Sequence, residues 1–440
     1  MKSPLHISAA FILASVLISC NGDETLRPDP NGPQSNLELN SFTGQFKAIW
    51  NGINEGYTYW PLTDIDWDRR YKEFLPVFEQ LDSDYEEWKE NGTAADCDFI
   101  TPDSLISLYK SLTYGLIDGH MTVKFIILND PQYTISISPA RQIWKERNGT
   151  PNVIGRDDFR PYTALRKNTG IATRIAVSGD EGDYSSYNVC YAVGGRYLYY
   201  RYPGFEYDDF EKSESEQVQQ QSDYHKCLKH FRELLAEGQK NKWLKGVIID
   251  LRRNGGGACA AFPYSPVGML LDRSMLTIGT YQGKNGLGHY DLTPRIPFIV
   301  TGSGDTEYPG PVVLLTDSNT GSMAEIAVLT AQSKPNWTVI GTTTAGAIGG
   351  WFGNSYFTYM NGEVGNGYSQ NAFVRYGANY AIRMSHMILR GLDGTCSEGI
   401  GIDPDIAFEF DNEKNKATFG RQDSQFEAAV SYLDGTLSVR

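Results

Sequence analysis

The sequence is short of the residues on which metal and redox chemistry rest. Among 440 residues there are 6 cysteines and 6 histidines, and no set of them has zinc-ligand spacing. Neither a GxxxxGK(S/T) loop nor a strand-linked GxGxxG is present, so nucleotide phosphates find no cradle. Positive charge is in deficit, with 39 Lys and Arg against 53 Asp and Glu and a net charge of -14. That balance argues against nucleic acid as a partner, because phosphate binding needs the opposite sign. Mean hydropathy of -0.38 with 40% hydrophobic and 21% charged residues describes a globular chain, neither polytopic nor disordered. At this length two or three structural units are expected.

The longest apolar run, Ile7 to Ile18, is too short for a permanent membrane helix. It follows Lys2 and ends in Leu17-Ile18-Ser19-Cys20, which is similar to the lipobox of bacterial lipoproteins and implies cleavage before Cys20 and lipidation of that cysteine. Residues 1–20 are thus read as a signal peptide and 21–38 as a polar tether. An ordinary secretory signal is the plainer alternative; both export the chain, and the lipoprotein reading places it in the cell envelope. Without Lys2 the charges are 38 positive and 53 negative, a net near -15. The remaining cysteines, Cys97, Cys190, Cys227, Cys259 and Cys396, are odd in number and widely spread, which predicts buried thiols with at most one bridge.

Periodicity divides the rest. Tyr71, Phe74, Leu75, Phe78 and Leu81, then Leu105, Leu108, Tyr109 and Leu112, recur at helical spacing and predict a helical domain over 39–127. Residues 128–192 lean to strand, with alternation over Gln132 to Ser138 and turn signals at Asn148-Gly149 and Gly179-Asp180, and predict a small β region. From 193 to 411 strands alternate with helices: Tyr197 to Tyr202, a helix from about Ser222 to Lys240, Gly246 to Arg252, Val312 to Thr316, a helix from Ser322 to about Ser333, and Thr338 to Gly341. Repeated βα units imply an α/β core with right-handed crossovers. Residues 412–440 carry a last helix, from Gln422 to Leu433.

Three segments could carry chemistry. Asn254-Gly255-Gly256-Gly257 ends a buried strand, where successive glycines let N–H groups turn into a cleft as an oxyanion pocket requires; a tight turn needs the same residues. Thr320-Gly321-Ser322-Met323-Ala324-Glu325 puts a serine at a helix N-terminus, where amides and dipole stabilise nearby negative charge. Ser322 with Glu325 is equally a capping box, needing no chemistry. Leu116-Ile117-Asp118-Gly119-His120 offers a histidine about two hundred residues before Ser322. If the base for Ser322 is a histidine of the exported chain, it is His120, His225, His230, His289 or His386.

Asp118-Gly-His120, Asp250-Leu-Arg-Arg-Asn-Gly-Gly-Gly257, Thr320-Gly-Ser-Met-Ala-Glu325, Gly341-Thr-Thr-Thr-Ala-Gly346 and Glu398-Gly-Ile-Gly-Ile-Asp-Pro-Asp405 run in the order seen in serine peptidases of the C-terminal-processing and tricorn-core family, which the chain resembles from about Phe42 to Phe410. The resemblance implies a crotonase-like or Clp-peptidase-like ββα core with an N-terminal helical domain, and hydrolysis of peptide bonds through an acyl-enzyme without metal or organic cofactor. It implies Ser322 as nucleophile, the amides of Gly256 and Met323 as oxyanion hole, His120 as base of the tricorn-like branch and Glu398 as the acid that orients it. Members of the C-terminal-processing branch use a lysine where this chain has Ala347, which argues against a Ser-Lys dyad. Residues 128–192 lack a clear carboxylate-binding loop, so no functional PDZ domain is expected. The expectation is an exported, lipid-anchored serine endopeptidase acting on peptide or protein substrates. The alternative is a non-catalytic lipoprotein that binds a ligand or peptide on the same fold, as related retinoid-binding modules do. Thioester chemistry on a crotonase-like core is a third reading, disfavoured by export.

Overall fold

The structure is a computed structural model that describes residues 41–91, 102–126, 134–159, 175–178, 184–205, 223–304, 307–350, 357–360, 363–365, 380–418 and 422–437. Cys20 and the whole leader and tether lie outside the described residues.

The helical domain opens with α1 (Phe42–Gly56), whose N-cap Ser41 accepts the Gly44 N–H on Oγ at 2.9 Å. Helices α2 (Trp67–Asn91) and α3 (Pro102–Thr113) follow. Their apolar stripes meet in one core of Phe46, Ile49, Trp67, Phe78, Tyr109 and Leu112. The chain then forms β1 (Thr122–Ile126), β2 (Thr134–Ile137) and α4 (Ala140–Asn148).

The α/β core contains β3 (Ile175–Ser178), β4 (Asn188–Val193), β5 (Tyr197–Arg201), α5 (Asp223–Lys240), β6 (Gly246–Asp250), β7 (Leu276–Gly283), β8 (Ile296–Val300), β9 (Val312–Thr316), α6 (Met323–Gln332) and β10 (Trp337–Gly341). Beyond it lie β11 (Phe357–Met360), β12 (Glu363–Gly365), β13 (Tyr380–Met384), β14 (Met387–Gly391), β15 (Ile406–Ala407), α7 (Asn412–Ala417) and α8 (Ser424–Leu433). The central sheet runs β15-β10-β9-β6-β5-β4-β3, parallel from β15 to β5 and antiparallel over the last two strands.

Both faces of this sheet are covered, which explains its continuously apolar strands. Val247, Ile249, Val312 and Leu314 join α5 and α6 in the larger core; Ile248, Val313 and Leu315 point the other way, to Phe410, Phe426 and Ala429. The mixed α/β architecture with its helical N-terminal region is the fold class expected from sequence. Helix α8 is pinned to the end of β6 by a buried ion cluster. Arg252 donates to Asp250 and to Asp423, Nη2 to Asp423 Oδ2 at 2.7 Å, and Asp423 also caps α8 by accepting Phe426 N at 3.0 Å.

The strands of 128–192 make no sheet of their own among the described residues. β3 and β4 extend the central sheet, β4 folding back on β5 through Gly194 and Gly195 at φ 55° and 65°, conformations that suit glycine. β2 instead pairs with β1, in a five-stranded sheet ordered β12-β11-β13-β1-β2. In that sheet β1 lies antiparallel to β13, so a strand from beyond the core completes the N-terminal domain. Among the described residues Cys190, Cys227, Cys259 and Cys396 are free thiols; Cys97 lies outside them.

Candidate active site

Strand β9 ends in a turn tied to the exit of β6. Thr320 Oγ1 donates to Leu251 O at 2.9 Å, Gly321 N to Asn254 O at 2.9 Å, and Asp317 Oδ1 accepts Arg253 N at 3.0 Å. Ser322 follows with φ 55° and ψ -122°, a strained backbone for a residue with a side chain, worth on the order of 1–3 kcal/mol. Two acceptors hold it there: Ser322 N donates to Ala347 O at 3.1 Å and to Glu325 Oε2 at 3.0 Å. Helix α6 begins at the next residue, so Met323 N is a first-turn amide without an intrahelical acceptor. A half-buried serine hydroxyl on a sharp strand-to-helix turn beside such an amide is the geometry of a nucleophile elbow.

The glycine turn presses against this elbow. A Cβ on Gly256, whose φ is 97°, would fall 2.5 Å from Ser322 Cβ and 2.6 Å from Met323 N. Here the Gly256 amide donates to Asn254 Oδ1 at 2.8 Å, while Asn254 Nδ2 donates to Tyr202 O at 2.8 Å and Gly256 O accepts Phe205 N at 2.8 Å. Gly256 thus opens the approach to Met323 N, with its own N–H engaged by Asn254 in this structure.

His120 arrives from the helical domain on a turn clamped at both ends. Ile117 N donates to Tyr57 Oη at 2.7 Å. The Asp118 carboxylate accepts Ser385 N at 2.6 Å, Ser385 Oγ at 2.8 Å and His120 N at 2.9 Å. Glu398 accepts Gly119 N on Oε1 and Gly349 N on Oε2, each at 2.5 Å. A Cβ on Gly119 would fall 2.7 Å from Cα and Cβ of Ala347, the residue whose carbonyl holds Ser322 N. The two turns therefore share one loop, and a larger side chain at 347 would meet Gly119. Of the other histidines, His289 bridges elsewhere, stacked over Trp60 with Nε2 2.8 Å from Asn54 Oδ1, and His230 lies on α5 near Glu233.

Ring-nitrogen and carboxylate atoms of His120, Asp118 and Glu398 lie within 4.8 Å of one another. These are the residues that could hold a cation, yet both carboxylates already accept N–H donors, which fits a hydrogen-bonded cluster as well. Burial pushes Asp118 and Glu398 up, and two buried carboxylates so close resist double ionisation. Asp118 has three donors and the Arg383 cation, whereas Glu398 faces Asp118 and Glu325, so Glu398 is the harder to ionise. Burial, then Arg383, holds His120 down to about 3, leaving a neutral imidazole at neutral pH.

The structure thus gathers Ser322, Met323 and Gly256 at one point and His120 with Glu398 at another, joined through Gly119, Ala347 and Ser322. Asp118 has no role legible in the Asp-Gly-His run itself, and Tyr57, Ser385 and Arg383 carry no local signal in the sequence. Glu325 was legible only as a helix cap.

Residues 199–408 match the model of peptidase family S41. The match spans a little under half of the chain and supports a serine peptidase of this family. That domain supports a serine-type peptidase activity. A solved structure from Parabacteroides merdae, described as a candidate peptidase, is similar at 20% identity and TM-score 0.58, covering 90% of this chain and 99% of its own, which shows a shared fold. Weaker similarities, both at 14% identity, are to a lipoprotein from Streptococcus agalactiae (TM-score 0.35; 68% of this chain and 81% of that one) and to mature CPAF (TM-score 0.39; 60% and 55%). No curated protein matches the chain.

Proposed function

We propose that this S41 peptidase is an exported, lipid-anchored endopeptidase in which Ser322 is the nucleophile, His120 its base and Glu398 the acid that steadies the base. His120 takes the hydroxyl proton as Ser322 Oγ attacks the substrate carbonyl, and later gives it to the leaving amine; water then releases the acyl group. Met323 N donates to the oxyanion, joined by Gly256 N as it shares or leaves Asn254 Oδ1. Glu398 acts by gripping Gly119 N, which fixes the turn carrying the imidazole. The absence of a lysine at 347 supports the tricorn-like branch over a Ser-Lys dyad. The lipobox-like run supports a membrane anchor at Cys20, with the peptidase on the envelope side.

The observation that carries this reading is the strained Ser322 backbone held against Gly256 by Ala347 O and Glu325. A helix cap alone needs no positive φ at the cap residue, since N-caps take extended backbone. A fluorophosphonate probe tests it. Labelling is expected in wild type and lost in Ser322→Ala and His120→Ala with both variants folded; full labelling of Ser322→Ala would sink the assignment.

A further inference from the structure

A cavity of about 400 Å³ lies behind the segment that carries Glu398, within the range of roughly 300–1,000 Å³ that small-ligand sites occupy. Its walls are the C-terminal end of α6, the bend that follows β14 and residues 400–403, with Arg147 from the last turn of α4. The floor is apolar, made by Ile278, Leu329 and Ile402, and Leu392 stands 63% exposed at the rim. Three charged groups also line it, the carboxylates of Asp393 and Asp403 and the guanidinium of Arg147. Thr395 donates its N–H to Asp393 Oδ1 at 2.9 Å and its hydroxyl to Oδ2 at 2.7 Å, which pulls that carboxyl below its ordinary range. Asp403 Oδ1 accepts Thr343 Oγ1 at 2.7 Å. Among the described residues Arg147 pairs with neither carboxylate. Opposite charges that line one cavity without pairing leave room for a molecule that carries both.

The wall toward the active site is one chain thick. Ser397, Ile400 and Gly401 line the cavity, while between them Glu398 turns away to accept Gly119 N and Gly349 N. Gly399 N donates to Gly346 O at 2.7 Å, and Ile402 N to Thr344 Oγ1 at 2.8 Å. A ligand resting on this wall is thus one hydrogen bond from the turn of His120 and one from the 344–347 loop behind Ser322.

We infer that this cavity binds a small apolar zwitterion, an amino acid or short peptide with both termini free, and that its occupant makes Ser322 more reactive through the 397–402 wall. The second half rests on the assignment of Ser322, His120 and Glu398. The arginine fork suits the planar carboxylate, and the Asp393 and Asp403 side take the ammonium. An apolar side chain covers Leu329 and Ile278, where it leaves water. Such a molecule ties the bend after β14 to Arg147 across the wall, and a braced wall keeps Glu398 on Gly119 N. A ligand with no preference between braced and loose walls would shift nothing, so the effect is set by its differential affinity. Peptide hydrolysis liberates termini of this kind, which makes the occupant a molecule of the class that the active site releases.

The test uses the full-length chain in mild detergent, with leucine, Leu-Leu, Leu-Leu-amide and N-acetyl-Leu-Leu as probes, and reads binding by calorimetry and thermal shift. Leucine or Leu-Leu is expected to bind saturably, the tighter of the two naming the source. Blocking either terminus should weaken binding about tenfold, the size of one charge-assisted hydrogen bond. Arg147→Gln should lose the same tenfold for Leu-Leu and nothing further for Leu-Leu-amide, because both changes remove one contact. At saturation wild type should take a fluorophosphonate about fivefold faster than without ligand, the low end of ordinary coupling, and at the same concentration the ratio falls toward one in Arg147→Gln. No binding of leucine or Leu-Leu, or affinities unchanged in Arg147→Gln, overturns the site. Labelling that slows with ligand in both proteins puts the ligand in the catalytic cleft and also overturns it. Binding with an unchanged labelling rate overturns the coupling, whereas a wild type that binds Leu-Leu yet takes no fluorophosphonate keeps the site and overturns the serine assignment.

Discussion

Glu325 accepts the backbone N–H of Ser322 on Oε2 at 3.0 Å, and the same oxygen accepts Ala347 N at 2.9 Å. Its other oxygen accepts Thr344 Oγ1 at 2.6 Å and Gly346 N at 2.9 Å. One buried side chain thus caps α6 and binds the 344–347 loop to the elbow, fixing the Ala347 carbonyl that Ser322 N also needs.

Glu325→Gln is expected to break this clamp. The amide NH2 must face one oxygen's donors; turned toward Thr344, whose hydroxyl can reverse, it still confronts Gly346 N–H. A buried donor left without an acceptor costs about 1–3 kcal/mol. Loosening the loop behind Ser322 by even 1 Å lowers kcat by up to about 100-fold. Denaturant melts and fluorophosphonate labelling rates check the two effects. A variant as stable and as fast as wild type would mean that the loop stands without Glu325.

The same residue makes stability depend on pH. Burial pushes Glu325 up to about 7, although its four donors pull the other way. A folded value above the unfolded one means that the folded state binds the extra proton between about 4.5 and 7, so this contribution is complete below that window and lost as pH rises through it. The proton fits at Oε1, shared with Thr344 Oγ1, while Gly346 N still donates there. The stability of wild type relative to Glu325→Gln should therefore fall by on the order of 3 kcal/mol from pH 4.5 to above 7. His120, held low, acts with the opposite sign in both proteins, which is why the difference is the quantity to measure. A difference that rises with pH would show that the donors outweigh burial.

The elements bearing Ser322 were legible because their signals are local. Val312 to Thr316 is an apolar run buried on both faces, and Ser322 with Glu325 marks where α6 begins. The Gly255 to Gly257 run likewise announced a turn at the end of β6. What sequence did not reveal depends on contacts between distant residues. Strand β13 pairs with β1 across some 260 positions, drawn there by the apolar face of Ile382 and Met384, and no local pattern in 128–192 says that β3 and β4 join the core sheet while β2 does not. Asp118 reads as a turn residue until Ser385 is placed against it, and Arg383 reads as an ordinary strand charge until Thr122 sets it beside His120. The order of the motifs could point to His120 and Glu398, whereas the clamp on Gly119 N that relates them is visible only in three dimensions.

Two glycines of one run should respond very differently to the same methyl group. A Cβ on Gly255 meets nothing within 4 Å, and its φ lies outside the left-handed range, so Gly255→Ala is expected to change stability by no more than about 0.5 kcal/mol. Gly256 has φ 97°, and its Cβ would strike Ser322 Cβ, Met323 N and, at 2.8 Å, Gly321 O. The neighbours are backbone and the elbow itself, which cannot yield as a flexible side chain does. Gly256→Ala should therefore displace the serine or shut off Met323 N, lowering the fluorophosphonate labelling rate by about 100-fold or more. Backbone strain adds about 1–3 kcal/mol of destabilisation, so labelling is compared at a temperature where a melt shows both variants folded. Equal labelling of the two variants would place the oxyanion pocket away from Gly256, and would turn attention to the amides of its neighbours.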